Sequence, residues 1–332
     1  MIRVSYAALM LCLALLTTIA FMLSLLIGPA AIGLGDLVGS LARGESSTVY
    51  VIVTEIRLPR ALLGLLIGAS LGLAGACLQG YLRNPLAEPG VIGVSAAAAL
   101  GAVVAIYTGL SLLFPLALPI MAIGGSLAAV LILQVLAGAG SVLTLILAGV
   151  AISSLSGALT SLALNLSPNP FASLEIVFWL LGSITDRSMT HVSLIAPFVF
   201  GGWALLAMSG RSLDALSLGE ETAVSLGVDL RLTRWLVVAG TAISVGAATA
   251  VSGVIGFVGL VVPHLLRPLV SHRPSRLLPA SALGGALLLL AADVFVRLIP
   301  HGTELNLGVI TALVGAPFFI YLIIRSKISY GL

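Results

Sequence analysis

Few residues in this sequence stand where they could do chemistry inside an apolar segment. Asp293 lies within a hydrophobic run, and Arg297 follows it by one helical turn. An acid in such a run is a candidate proton or ion site, and the i, i+4 spacing equally suits a local ion pair. A proton-driven carrier usually shows acids deep in several runs, whereas this chain has at most one. The residues favour the ion pair and leave the functional interpretation open.

Motifs for catalysis and nucleotide binding are missing. A phosphate-binding loop needs the pattern G-x-x-x-x-G-K-[ST], and the one lysine, Lys327, has no such context. H-E-x-x-H and G-x-S-x-G are absent too, and Cys12 and Cys77 form no metal spacing. We therefore expect no catalytic residue, no metal site and no cofactor bound by this chain.

A polar turn, segment 81–90, joins two apolar runs. Pro85 and Pro89 end helices and favour extended geometry at Asn84 and Glu88. One interpretation is an ordinary helical hairpin loop. The other is a stiff, hydrogen-bonded plug, because an ordinary hairpin needs only a Gly or Asn.

Segment 212–229 predicts a short amphipathic helix outside the apolar runs. Ser217 and Glu220 form a capping-box pattern, and Gly227 stands where such a helix should end. Apolar or small side chains share one face at helical spacing, and these are Leu218, Thr222, Ala223 and Leu226. Leu213 and Leu216 lie on a turn or a second short helix before it.

The polar face of this predicted helix is acidic. It carries Asp214, Glu220 and Glu221, and an anionic membrane surface would repel them. A protein partner is therefore favoured over a connector that lies on the membrane.

Three arginines, Arg57, Arg60 and Arg297, lie at the opposite ends of the apolar runs from that helix. Arginine suits bidentate pairing with carboxylates, so an acidic partner is one interpretation. The other is that these long side chains anchor the runs by extending to the membrane surface.

The elements that must position these residues are membrane helices. Of the 332 residues, 60% are hydrophobic and 8% are charged, against roughly 25% charged in a soluble protein. This excludes a soluble enzyme and a disordered chain. Continuous apolar runs of about 20 residues indicate membrane-spanning helices rather than a barrel. The net charge of +3 comes without a basic cluster, so we expect no nucleic-acid partner.

We predict an all-α polytopic membrane protein with a single domain, residues 1–332. The first apolar run is longer than the core of a signal peptide, so we count it as a retained helix. The spans, ten in number, are 6–28, 59–80, 90–108, 113–136, 142–165, 190–209, 232–251, 255–270, 277–297 and 306–324. The eighth is expected to be broken by Pro263, and segments 29–58 and 166–189 to form short helices on the outer surface.

Arginine and lysine placement predicts the topology. A cytoplasmic N-terminus puts ten basic residues inside and five outside, as the positive-inside rule requires. With an even number of spans, both termini are cytoplasmic.

A set of motifs in order along the chain resembles the permeases of type II ABC importers for ferric siderophores, haem and cobalamin. They are Arg57-Leu-Pro-Arg60, Gly68-Ala69 with Gly75 and Gln79, Arg83-Asn-Pro-Leu-Ala87, Leu147-Ala-Gly149, Trp179-Leu-Leu-Gly182, Leu218-Gly-Glu220 with Leu226-Gly227, Gly256-Phe-Val-Gly-Leu-Val-Val-Pro-His264 with Arg267, and Gly308-Val-Ile-Thr-Ala-Leu-Val-Gly-Ala-Pro-Phe-Phe319. The resemblance covers about residues 50 to 325. Asn306 departs from the family's usual Pro, which is expected to loosen the start of the tenth span.

The resemblance implies a dimer of ten-helix permeases around a central path, in the inner (plasma) membrane. Asn84, Pro85 and Leu86 resemble the cytoplasmic gate, and Arg57, Arg60 and Arg297 resemble the arginines that dock a periplasmic or surface-anchored substrate-binding protein. Coupling to the ATPase is implied for segment 212–228, namely Leu213, Asp214, Leu216, Leu218, Gly219, Glu220, Glu221, Ala223, Leu226 and Gly227.

The implied partners are two ATP-binding cassette subunits, which use ATP and Mg, a binding protein, a second permease copy and membrane lipid. The implied cargo is a bulky metal chelate, with ferric siderophore ahead of cobalamin and haem. The alternative function is an ion-coupled secondary transporter of a small solute.

Overall fold

Helices make up nearly all of the computed structural model, which describes residues 5–43, 47–114, 116–138, 141–167, 170–299 and 305–330. The first eight are α1 (Tyr6–Leu26), α2 (Leu34–Arg43), α3 (Thr48–Val51), α4 (Leu58–Tyr81), α5 (Val94–Tyr107), α6 (Leu110–Leu113), α7 (Ala117–Ala137) and α8 (Val142–Asn165). The others are α9 (Pro170–Leu180), α10 (Met189–Met208), α11 (Gly210–Leu216), α12 (Glu220–Ser225), α13 (Leu230–Ser252), α14 (Val258–Leu266), α15 (Pro274–Leu298) and α16 (Leu307–Tyr330).

Each of the ten predicted spans coincides with a helix, so the all-α membrane fold is confirmed. Seven helical runs among the described residues are long and apolar enough to cross a membrane. The third, eighth and tenth predicted spans match shorter apolar helices, Val94–Tyr107, Val258–Val270 and Leu307–Leu322. The start of the tenth span is not loosened by Asn306, because the Asn306 carbonyl accepts hydrogen bonds from the first turn of α16. The two predicted outer segments hold short helices, α2 and α3 in one and α9 in the other.

The second span begins earlier than predicted. α3, a π-helical stretch (Ile52–Arg57) and α4 form one continuous helical run of 34 residues. Pro59 has no N–H to donate to the carbonyl four residues before it. The turn before Pro59 widens, with the Leu58 N–H bonding the Val53 carbonyl, so the helix continues instead of ending.

The eighth span is not broken by Pro263, contrary to the sequence prediction. α14 passes through Pro263 and changes to a 3₁₀ turn only at Arg267. Proline deprives the Gly259 carbonyl of its intrahelical donor. The side-chain amide of Gln79 donates to that carbonyl at 3.3 Å, so a neighbouring helix satisfies the group that the proline leaves without a donor.

Helix α4 forms the buried centre of the bundle and packs along α15 through small residues. A Cβ added at Gly72 would lie 2.0 Å from the Ser281 carbonyl oxygen, and one at Gly68 would lie 2.4 Å from that of Gly285. The two backbones are therefore in direct contact. This is the close approach that small residues spaced by four allow in a membrane, where helices gain little by burying apolar surface against one another.

Helix α15 connects the two ends of the molecule. Its 25 residues rise by about 37 Å. Its first turn contacts α11 through Ser275 and Asp214, and its last turn carries Arg297. We call these the α11–α12 end and the arginine end.

Candidate functional site

A buried charge cluster occupies the arginine end. Asp293 is 1% exposed and pairs with two arginines. The Arg60 Nε donates to Asp293 Oδ1 at 2.8 Å, and Arg297, one turn later on α15, binds the other carboxylate oxygen. The ion pair that the spacing of Asp293 and Arg297 predicted is confirmed, and Arg60 is a second partner that sequence spacing did not reveal.

Arg57 and Arg297 cap the end of α1. Arg57 Nη1 donates to the carbonyls of Leu25 and Leu26 at 2.9 and 2.6 Å. Arg297 Nη1 donates to those of Ser24 and Ile27, both at 2.9 Å. The last carbonyls of a helix have no intrahelical donor, and α1 has no basic residue of its own in its last turn. Two cations from elsewhere in the chain supply the missing donors and the favourable charge.

The three predicted docking arginines therefore bind groups of their own chain in this conformation. Arg57 is 3% exposed and Arg60 is 8% exposed. All three border a cavity of about 470 Å³, together with Arg187, Asp186 and Glu55. Their docking role stays a prediction.

The predicted gate lies in the loop after α4 and holds itself in shape. Asn84 Oδ1 accepts a hydrogen bond from the Leu86 N–H at 2.9 Å, and the Asn84 carbonyl accepts one from Ala87 N–H at 3.1 Å. These bonds close a tight turn around Pro85. Asn84 and Pro85 are exposed and Leu86 is partly buried, so a rigid turn presents these side chains at the surface.

Two residues beside this loop join it to α14 and were not predicted as site residues. Gln79 donates to the Ala87 carbonyl at 3.2 Å and accepts from Arg267 Nη2 at 2.6 Å. Glu88 has the extended backbone that Pro89 predicted, and its Oε2 accepts from the Phe257 N–H at 3.3 Å. The sequence signal for Gln79 was its position as a polar residue near the end of an otherwise apolar helix.

Helix α11 is anchored to α15 by Asp214. Its carboxylate accepts from the Ser275 N–H at 2.8 Å, from the Ser275 hydroxyl at 2.6 Å and from Arg273 Nε at 3.1 Å. Burial raises the pKa of Asp214, but the Ser275 and Arg273 contacts outweigh it and hold that pKa below its usual range. The ionised carboxylate is thus built into the junction.

Helix α12 starts at a different residue from the predicted one but stops where predicted. Its N-cap is Gly219, with φ 109°, and not Ser217, whose hydroxyl donates to the Asp214 carbonyl at 2.6 Å. The predicted capping box is wrong because Ser217 already ends α11. The predicted stop at Gly227, with φ 83°, is confirmed. Val228 N–H bonds the Ala223 carbonyl and Gly227 N–H bonds that of Val224, the two bonds of a Schellman motif.

Only part of the predicted coupling set is at the surface. Leu213, Leu216 and Ala223 are 0%, 2% and 0% exposed, so these three side chains pack inside the chain, and their coupling role stays a prediction. They are buried because α11 packs on α4 and α15, and α12 packs on α11. Leu218 and Leu226 remain 66% and 63% exposed.

The charged members of this set divide in the same way. Glu220 pairs with Arg83 of the gate loop at 2.8 Å, with both side chains about half exposed, while Glu221 is exposed. An exposed residue that the prediction missed is Val224, 54% exposed. The α11–α12 end thus offers a small apolar surface of Leu218, Val224 and Leu226 beside carboxylates.

Metal chemistry has no visible site in the part of the chain that the structure describes. No group of three or more His, Cys, Asp or Glu side chains there could hold a metal ion. His264 lies against the Phe318 ring, with ring centroids 5.9 Å apart. The absence of a resident cofactor stays a prediction.

Comparison with protein families and known sequences gives a match along most of the chain. The model of the FecCD transport family matches residues 16–325. The vitamin B12 import system permease protein BtuC of Vibrio cholerae is 44% identical over 289 residues, 86% of each chain. The Fe(3+) dicitrate transport system permease protein FecD of Escherichia coli is 39% identical over 283 residues, 84% of this chain and 86% of that one.

A solved structure has the same architecture. It is described as an inward-facing conformation of a metal-chelate type ABC transporter. Its chain is 34% identical to this one, superposes with a TM-score of 0.84, and the alignment covers 97% of this chain and 100% of that chain.

Proposed function

Because this chain belongs to the FecCD transport family, we propose that it is the permease of an ABC importer that carries a ferric siderophore inward. The family assignment makes it a multi-pass membrane permease of an importer for metal chelates such as cobalamin or ferric citrate. Ferric siderophore is the finer part of the proposal, with cobalamin and haem as the other cargoes. The observation that carries the proposal is the family match over residues 16–325.

The proposed mechanism is alternating access driven by partner subunits. Two ATPase subunits bind ATP and Mg, close, and move α11 and α12. Because α11 is bonded to α15 through Asp214 and Ser275, and α15 packs directly on α4, a push on α11 reaches the centre of the bundle. Rocking of packed helices as units is the usual form of such motion.

The gate is proposed to follow the same movement. Arg83 of the gate loop pairs with Glu220 of α12, so α12 and the loop of Asn84, Pro85 and Leu86 are directly joined. Gln79 and Glu88 join that loop to α14. The loop can therefore open only as these helices separate.

Docking of a substrate-binding protein is proposed at the arginine end. Arg57, Arg60 and Arg297 border the cavity of about 470 Å³ there, which supports an acidic partner. Since these guanidinium groups already bind α1 carbonyls and Asp293, an acidic partner would have to compete for their donors.

A second copy of the chain is proposed to complete the path. Large apolar side chains of α8 are exposed in the single chain, among them Leu143, Leu147 and Leu155 at 63%, 60% and 63%. This face of α8 is proposed to pack against the second copy, with the path between the two copies. The cytoplasmic location of both termini and of the α11–α12 end belongs to this proposal.

The test is reconstitution of the chain with its candidate ATPase and binding protein in liposomes. ATP hydrolysis and uptake are measured with binding protein loaded with ferric siderophore, ferric citrate, cobalamin or haem. Stimulation by ferric siderophore alone supports the full proposal. Stimulation by another cargo overturns the cargo, and uptake driven by an ion gradient without ATP overturns the importer mechanism.

A further inference from the structure

A basic recess lies where α7 ends and α13 begins, at the α11–α12 end. It has a volume of about 310 Å³ and is lined by Gln134, Gly138, Arg231, Arg234 and Trp235. A second cavity, of about 360 Å³, shares Arg231 and Arg234 and extends to Tyr81 and Ser141. The import mechanism uses none of these side chains.

The lining offers hydrogen-bond donors and positive charge. Arg231 is exposed and forms no ion pair with any residue that the structure describes. The Gln134 Nε2 is shielded from solvent and has no hydrogen-bond partner among the described residues. Guanidinium groups match the geometry of phosphate oxygens, so the chemistry that fits this recess is a phosphate group.

The acids near the recess are already engaged. Asp229 Oδ1 accepts from the N–H groups of Arg231 and Leu232 at 2.8 and 3.1 Å and caps α13. Glu220 lines the second cavity but pairs with Arg83. Neither carboxylate forms an ion pair with Arg231 in the described structure, so its positive charge remains available.

An apolar surface leads along α7 to the recess. Leu131, Ile132, Val135 and Leu136, in its last two turns, are 62%, 50%, 81% and 56% exposed. The indole of Trp235 is 46% exposed, and tryptophan concentrates at the level of lipid headgroups. A soluble phosphate makes no use of this apolar surface, whereas acyl chains would cover it.

We propose that the basic recess binds the headgroup phosphate of an anionic phospholipid, with its acyl chains along the end of α7. Basic pockets between membrane helices are suited to such lipids. The proposal requires only that the chain spans a membrane, and it is independent of the cargo.

The test measures quenching of tryptophan fluorescence in the purified, delipidated full-length chain. The probes are phosphatidylglycerol and phosphatidylcholine with brominated acyl chains. We expect phosphatidylglycerol to saturate quenching at a concentration at least about tenfold lower, since one arginine–phosphate contact of about 1.5 kcal/mol corresponds to that ratio. Trp235→Phe should remove the saturable part of the signal.

Variants separate this site from general charge effects. Arg231→Gln should abolish most of the preference for phosphatidylglycerol, and Arg231→Lys should retain most of it. Arg211→Gln is the matched control, because Arg211 is an exposed arginine at the same end but outside the recess. The preference of this variant for phosphatidylglycerol should stay within twofold of the wild-type preference.

Three outcomes overturn the proposal. Equal quenching by both lipids, or an unchanged preference in Arg231→Gln, removes the headgroup site. Competition by inorganic phosphate at the lipid's own concentration makes it a soluble-anion site. Complete loss of lipid quenching when the ATPase is bound makes the recess a protein interface.

Discussion

At the scale of single residues, Asp293 and Gln79 each satisfy several groups from different helices. Asp293 neutralises Arg60 and Arg297, and Arg297 also binds carbonyls at the end of α1. Gln79 binds Ala87, Gly259 and Arg267 through one amide. In a bundle with few polar side chains, such residues fix the relative positions of helices that apolar packing alone would leave free to slide.

Asp293→Asn is expected to destabilise the permease strongly. Removing one partner of a buried ion pair costs about 3–5 kcal/mol, because the remaining charges stay buried without compensation. Unfolding in mixed detergent micelles measures the change, with the exposed Glu221→Gln as the control. A midpoint equal to that of wild type would mean that the other contacts of Arg60 and Arg297 compensate their charge.

The role of Gln79 is tested by a double-mutant cycle with Pro263. Gln79→Leu should cost about 1–3 kcal/mol of stability, because buried carbonyls lose their donor. In Pro263→Ala, the alanine N–H can bond the Gly259 carbonyl again, so the same change should cost less. Strictly additive effects on the unfolding free energy would show that Gln79 does not serve that carbonyl.

At the scale of elements, two contacts transmit position from the α11–α12 end into the bundle. One is the backbone contact of α4 with α15, and the other is the Asp214 junction of α11 with α15. The first depends on the absence of a Cβ, and the second on an ionised carboxylate. Each can be changed without altering a residue of the predicted gate.

Gly72→Ala is expected to separate α4 from α15. Its new Cβ would lie 2.0 Å from a backbone oxygen, which cannot rotate away as a side chain would. The free energy of unfolding should therefore fall by at least the roughly 1–3 kcal/mol typical of overpacking. The measurement is the thermal midpoint in detergent. Gly124→Ala on α7, which has nothing within 4 Å of the added Cβ, should match wild type or exceed it, and an equal loss there would refute the packing explanation.

The Asp214 junction should weaken in acid. Since the pKa of Asp214 is lowered in the folded chain, its stabilising contribution is present above the unfolded pKa and is lost as pH falls through the folded pKa. The thermal midpoints of wild type and Asp214→Asn should therefore differ most near neutral pH and converge below about pH 3.9, the ordinary aspartate pKa. A difference that stays constant down to the lowest pH at which both fold would contradict this sign.

At the scale of the whole molecule, the chain has two polar ends joined by an apolar bundle. The arginine end holds its cations inward, and the α11–α12 end exposes a small apolar surface beside carboxylates. An importer needs different partners at its two ends, and this asymmetry fits the proposed function.

Leu226→Asp is expected to uncouple transport from ATP hydrolysis without harming the fold. Leu226 is 63% exposed, so the change adds charge to the partner surface and leaves the interior alone. Cargo-stimulated ATP hydrolysis in reconstituted vesicles should fall at least about tenfold. This corresponds to about 1.4 kcal/mol of activation free energy. Arg211→Ala is the control for a change at the same end, and full stimulation of Leu226→Asp would exclude this surface from coupling.

The amino-acid sequence by itself determined the all-α membrane fold, because length and hydropathy of a run decide whether it crosses a bilayer. Its motifs determined the membership of a permease family. It also determined the stop of α12 at Gly227 and the ion pair of Asp293 with Arg297, since both depend on neighbours within one helical turn.

Only the tertiary structure decided which surfaces are available to partners. Arg60 reached Asp293 from a position 233 residues away, and Leu213, Leu216 and Ala223 turned inward because other helices covered them. Pro263 stayed helical because Gln79, on another helix, supplied a donor. Each of these results depends on groups that are distant in sequence and close in space, and hydrophobic periodicity along one segment carries no information about them.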